Sequence, residues 1–418
     1  MIIDSKKYNG PCSCGRSHEM ATQLAVIQPG CLKNFDQYLN DAGLTGKRAA
    51  IYDQNTYHAK NLVRPQTAQE IILNPENLHA NESATSTVLS QLDPDVQILV
   101  AVGSGTIHDI TRFCAKERGI PFVACPTAAS VDGFCSTVSA MTWGGFKKTL
   151  PGVAPILVLA DIDVIKEAPP ALALSGVGDV LGKYTALADW KIAHALTGEF
   201  LCPEIEALTR KAVEEVYTSC RQIASGSPAA FERLTYGLLL SGLAMQMMGN
   251  SRPASGAEHH ISHIIEMEPE TLGIHSSALH GEKVGVGTAL ASGVYHKLAE
   301  TTDITPLVKE YPPITDALIR ESYGDRLFDS IAQENRTDCM AAVTPQLLAK
   351  QWPAIREIIA QIPTREELEA LYREIGAKTT LEDLQVDPAL LPKLLAYSPL
   401  VRNRMTLMRI RRMIDTED

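Results

Sequence analysis

Up to about residue 165 the chain alternates short apolar runs with polar-spaced helical stretches. QLAVIQ (23–28), RAAIYD (48–53), VQILVAVG (96–103), PFVACP (121–126) and APILVLAD (154–161) are rich in β-branched or small apolar residues and end at turn residues. That pattern predicts buried strands. Strands separated by helical patterns predict parallel βαβ units. From about residue 170 the strand signals stop. LTRKAVEEVYTSCRQIAS (208–225), AFERLTYGLLLSGLAMQMMG (230–249), PAIREIIAQI (353–362) and REELEALYREIG (365–376) repeat apolar residues at helical spacing. The expected organisation is a tail over 1–20, an α/β domain over 21–168 and an all-helical domain over 169–418. A functional site is expected in the cleft between the two domains.

Composition narrows the function classes. The net charge is −11, so the chain lacks the basic face that a nucleic acid or an anionic membrane surface requires. The longest apolar runs are too short to span a bilayer, and the opening MIIDSKKYNG does not resemble a signal peptide. Nine scattered cysteines suit reduced thiols in a cytoplasmic protein.

Three stretches carry possible nucleotide chemistry. VQILVAV runs into GSGTIHDITRF (103–113), a glycine turn where a pyrophosphate can approach a helix N-terminus. His108 stands where the dinucleotide fingerprint has its third glycine. Asp53 closes RAAIYD, where a carboxylate can bind a ribose or simply cap a turn. CPTAASVDGFCS (125–136) offers Thr127, Ser130 and Ser136 to a nucleotide and Asp132 to a substrate.

Histidine is scarce, 11 in 418 residues, yet SGAEHHISHIIEME (255–268) holds three in five positions. Ser255 and Glu258 match a capping box. At 100° per residue, Ile261, Ile264 and Ile265 share one face, His259, His263 and Glu266 the opposite face, and His260 falls between. His280 in ALHGEKVGVG (278–287) precedes another helix. Asp179, in SGVGDVLGKYTALADWK (175–191), reads locally as an N-cap at the start of a helix. Two imidazoles and one carboxylate form a ligand set for catalytic zinc, iron or nickel. Near the N-terminus, PCSCGRSH (11–18) brings Cys12, Cys14 and His18 together. That is one ligand short of a closed zinc site unless Cys31 joins, and a reduced mobile tail is the preferred reading.

Taken in order, VGSGTIHD, PTAASVDG, SGVGDVLGKYTALADW, SGAEHHISH, LHGEKVG and the closing YSPLVRNRMTLMRI resemble the sn-glycerol-1-phosphate dehydrogenase family, within the group of glycerol dehydrogenase, iron-type alcohol dehydrogenases and dehydroquinate synthase. The resemblance implies a Rossmann-like parallel-sheet domain plus an all-α domain, NAD(H) or NADP(H), and one divalent metal ion (zinc, nickel or iron). It implies Asp179, His259 and His280 as metal ligands, and Asp132 and His263 with Asp179 as substrate-contacting and catalytic residues. Nucleotide contacts would come from Asp53, Gly103, Ser104, Gly105, Thr106, Ile107, Thr127, Ser130 and Ser136. The implied reaction is the reversible reduction of dihydroxyacetone phosphate to sn-glycerol 1-phosphate. Arg252 in NSRPAS is the candidate for the substrate phosphate. A dehydrogenase for glycerol or another unphosphorylated polyol is the alternative. A non-redox lyase and a nucleotide-sensing scaffold stand further off. The expected partners are a phosphorylated triose and a second copy of the chain, as a homodimer or larger homo-oligomer.

Overall fold

The computed structural model describes residues 1–144 and 146–415. Its strands in chain order are β1 Ile2–Asp4, β2 Gly10–Pro11, β3 Ser17–His18, β4 Leu24–Gln28, β5 Arg48–Asp53, β6 Gln69–Leu73, β7 Ile98–Gly103, β8 Phe122–Pro126, β9 Val138–Trp143, β10 Phe146–Pro151 and β11 Leu157–Asp161. Seven form one sheet in the order β1-β4-β11-β8-β7-β5-β6. The five strands read from sequence lie in its middle and pair in parallel. Every residue of β7, β8 and β11 is buried. Such burial belongs to a parallel sheet covered on both faces, and it explains why these strands read as continuous apolar runs.

Pattern reading missed the edges. β6 buries only Ile71 and Leu73, with Glu70 and Ile72 exposed, so its signal is half that of a central strand. β1 joins antiparallel, with Ile2 opposite Val26. The segment expected to be a tail therefore contributes an edge strand.

The chain forms two compact units, one of residues 1–180 and 211–250, the other of 181–210 and 251–418. The helix Pro228–Met248 belongs to the first unit because it lies on the turn Asp132–Cys135 and on β4. A Cβ on Gly242 would sit 2.8 Å from the Asp132 carbonyl oxygen. The second unit is helical, with Lys183–Thr197, Ala257–Met267, His280–Ala299, Pro345–Ile359 and Arg365–Ile375 among its main helices. No described helix is long and apolar enough to cross a membrane.

Candidate functional site

In the first unit, the expected nucleotide residues gather at the carboxyl ends of the parallel strands. Asp53 ends β5, Gly103 ends β7, and Thr127 follows β8. The Thr127 N–H donates to the Gly103 carbonyl at 2.9 Å. Helix Gly105–Arg118 starts here with Ser104 at its N-cap and no side chain capping it. Its first N–H groups are thus left for an external acceptor, the arrangement that suits a phosphate. Gly103 cannot carry a side chain, since a Cβ would stand 2.6 Å from that of Ile107.

His108, at the position of the missing third glycine, is buried. Its Nδ1 bonds the Ser104 carbonyl oxygen at 2.8 Å and its ring meets Phe134 edge-on. Burial pushes its pKa down to about 3, so it serves as a neutral packing group. Asp53 keeps its bland role as well. Oδ1 accepts from the Thr56 N–H at 2.8 Å, capping a short helix. Ser130 accepts the Ser175 hydroxyl through its carbonyl, and the Ser136 hydroxyl donates to the Val138 carbonyl.

Two of the three acidic candidates of this unit meet. Asp132 donates its backbone N–H to Asp179 Oδ2 at 3.0 Å, and its own Oδ2 accepts the Ser241 hydroxyl at 2.8 Å. Asp179 is fully buried in the last turn of the helix Pro170–Leu181, so it is not the N-cap that local sequence suggested. The run of small residues before it is helix interior instead.

The second unit holds the histidines. The rings of His259, His263 and His280 form a triangle with centroids 5.4, 5.9 and 6.0 Å apart. Helix Ala257–Met267 supplies the first two from successive turns, and His280 opens helix His280–Ala299. Each ring uses Nδ1 on a carboxylate: His259 on Glu258 at 2.7 Å, His263 on Glu266 at 3.1 Å, His280 on Glu266 at 2.8 Å. Carboxylates favour the Nδ1–H tautomer, which leaves the three Nε2 lone pairs as ligand or acceptor atoms. This fits a divalent metal. His263, Glu266 and His280 are also close enough to form a set of their own. That set would break both hydrogen bonds of Glu266 and is disfavoured on that ground.

Glu266 and Glu258 orient the histidine rings, a role that sequence reasoning did not assign. Burial alone would raise Glu266, but His280 and His263 outweigh it and hold it well below the usual carboxylate range. Glu258 is fully buried, with its oxygens also accepting the Gly256 N–H at 2.6 Å and the Thr185 hydroxyl at 2.5 Å. The Ser255–Glu258 capping box is therefore not formed. Gly256 is the N-cap, and the Ser255 hydroxyl has no partner. Burial pushes His263 down to about 4. His260, expected between the faces, is buried at 1% exposure with neither ring nitrogen bonded.

Arg252 is not a phosphate ligand in this arrangement. It is 3% exposed, bonds Glu199 through Nε at 2.7 Å, and donates from Nη2 to the carbonyls of Asp189 and Met405, each at 3.0 Å. A lone arginine before a histidine helix carries no local sign of such a clamp. The half-buried Arg402 is the cation whose charge bears on both His260 and His263.

Residues 26–169 match the iron-containing alcohol dehydrogenase family model. The glycerol-1-phosphate dehydrogenase, NAD(P)+, of Bacillus licheniformis is 33% identical over 424 residues, spanning 98% of this chain and 94% of the relative. The chain belongs to the glycerol-1-phosphate dehydrogenase family. The family's enzyme of the same name from Geobacillus stearothermophilus is 35% identical over 95% of this chain and 94% of its own. Among solved structures, a probable glycerol dehydrogenase from Sinorhizobium meliloti 1021 superposes with TM-score 0.60 at 18% identity, covering 95% of this chain and 99% of that one. This last likeness bears on the fold of the family and on nothing finer.

Proposed function

We propose that the protein catalyses the reversible, metal-dependent reduction of dihydroxyacetone phosphate to sn-glycerol 1-phosphate with NADH or NADPH. The observation that carries this reading is the near full-length likeness to enzymes named glycerol-1-phosphate dehydrogenase. The histidine triangle supports its metal dependence.

His259 and His280 would present Nε2 to one divalent cation, and the family resemblance makes Asp179 the residue that would supply the anionic third ligand. When bound, the cation contributes Lewis-acid polarisation of the substrate oxygen and the nicotinamide contributes the hydride. His263 hydrogen-bonds the substrate through Nε2 and handles the proton that accompanies reduction, while Glu266 holds its ring in one orientation. Asp132 positions Asp179 through its backbone N–H and contacts the substrate hydroxyl. The turn Gly103–Ile107 with Thr127 and Ser130 holds the pyrophosphate and adjoining nucleotide, and Asp53 and Ser136 contact it further out. Arg402, half-buried and in the same unit as His263, is the candidate phosphate partner in place of Arg252. The macromolecular partner is a second copy of the chain, in a homodimer or larger assembly in the cytoplasm; solution mass measurement checks the assembly.

The deciding experiment follows NADH and NADPH oxidation by the metal-loaded protein with dihydroxyacetone phosphate and with dihydroxyacetone, and assigns the stereochemistry of the product. The phosphorylated ketone should turn over far better and give the sn-1 isomer. Preference for dihydroxyacetone would make the enzyme a polyol dehydrogenase.

A further inference from the structure

The segment PCSCGRSH is not used by the reaction, and its geometry is that of a built site. β2 and β3 pair as a two-residue-wide hairpin, Gly10 opposite His18 and Pro11 opposite Ser17. Its loop is closed by Cys12 N–H to the Arg16 carbonyl at 2.8 Å and Gly15 N–H to the Cys12 carbonyl at 3.0 Å. Gly15 has φ +83°, a left-handed turn that a side chain would disfavour. The hairpin folds the C-x-C-x-x-x-H spacing back on itself. The ligand atoms of Cys12, Cys14 and His18 lie within 4.8 Å of one another, and Cys14 Sγ is 3.4 Å from His18 Nε2.

Metal–ligand distances of about 2.3 Å to sulfur and about 2.0–2.1 Å to nitrogen at tetrahedral angles give a ligand–ligand edge of roughly 3.6 Å. The Cys14–His18 pair already has that edge. His18 is also oriented from behind. It is 4% exposed, and its Nδ1 lies 2.8 Å from the Met247 carbonyl oxygen. A carbonyl can only accept, so the proton is on Nδ1 and the Nε2 lone pair points at the sulfurs. All nine cysteines are free thiols.

We propose that Cys12, Cys14 and His18 bind a structural zinc ion that ties the N-terminal hairpin to the end of the helix Pro228–Met248. Two thiolates with one imidazole select zinc over the hard cations. A fourth donor, water or thiolate, completes the tetrahedron. Cys31 and Cys125 are in the sheet core, Cys114 and Cys220 donate to the carbonyls of Thr85 and Tyr217, and Cys135 is fully buried.

The test loads the full chain with cobalt in place of zinc and records its spectrum. The histidine–carboxylate set has no sulfur, so a thiolate-to-cobalt charge-transfer band in the near ultraviolet reports the hairpin alone. The wild type should show this band. The double variant Cys12→Ser/Cys14→Ser should lose it together with one zinc per chain by elemental analysis, while the metal held by His259 and His280 stays. If the double variant does not fold, the wild-type spectrum still decides, because it needs no variant. A wild-type protein without the band, or a Cys12–Cys14 disulfide seen by mass spectrometry in protein purified under reducing conditions, would overturn the site.

Discussion

Glu266 accepts a hydrogen bond from His280 at 2.8 Å, joining two helices through the ring that is to hold a metal. The same carboxylate accepts from His263, so one side chain sets the tautomer of two imidazoles. Glutamine at this position can accept from one Nδ1–H and must turn its own N–H toward the other. Glu266→Gln should therefore weaken metal binding roughly 10–100-fold and reduce kcat, as read by chelator competition and steady-state kinetics. Unchanged values in both assays would remove Glu266 from the site.

The three clustered histidines should separate by role. His259→Ala should lose metal and activity together. His263→Ala should keep its metal and lose activity by roughly 10²–10⁴-fold. Helical spacing puts His260 between the two faces, but it is buried. His260→Ala should keep its metal and lower stability by roughly 2 kcal/mol or more through the cavity left behind. Metal content, kcat and thermal unfolding of the three variants check this. A metal-free His263→Ala beside a metal-loaded His259→Ala would invert the assignment.

The two arginines should behave oppositely. Arg252→Ala leaves Glu199 and two carbonyls without their donor, so it should cost roughly 1–3 kcal/mol of stability and affect both ketones alike. Arg402→Ala should raise KM for dihydroxyacetone phosphate with little effect on dihydroxyacetone, a difference of about 2–5 kcal/mol if the contact is desolvated. Equal effects of Arg402→Ala on the two ketones would place the phosphate elsewhere.

Asp189 gives the protein a pH dependence with a definite sign. Burial, and then the Glu258 carboxylate, push it up to about 7, even though Tyr295 and the Leu407 N–H donate to it. Its unfolded value is near 4. Between those values the folded chain holds a proton that the unfolded chain has released. The stabilisation is therefore complete below about pH 4 and is lost as pH rises through about 7. From about pH 5 to about pH 8 the wild type should lose roughly 2–3 kcal/mol more stability than Asp189→Asn, measured by urea unfolding. Parallel pH curves would mean Asp189 is ionised throughout.

What was legible in the sequence follows from which forces act locally. Central strands such as Ile98–Gly103 are buried on both faces, so burial is written residue by residue. The edge strand Gln69–Leu73 buries two residues in five, too few to register. His259 and His263 were visible because one helix spaces them. Glu266 was visible as a polar-face residue, but its role depends on His280, fourteen residues on. The Ser255–Glu258 pattern matched a capping box, yet His259 and Thr185 compete for the same carboxylate and win. Arg252 carries no local sign of its partner Glu199, which is 53 residues away.

The discontinuous first unit bears on how the chain folds as it is made. Its sheet is complete once Leu157–Asp161 has been synthesised, but the helix Pro228–Met248, which buries most of its length, comes much later. At bacterial or eukaryotic translation rates that interval is on the order of ten seconds. Throughout it, the apolar surface of β4 and the turn Asp132–Cys135 lacks its cover, making the half-synthesised chain a substrate for chaperones and the stage at which aggregation competes hardest.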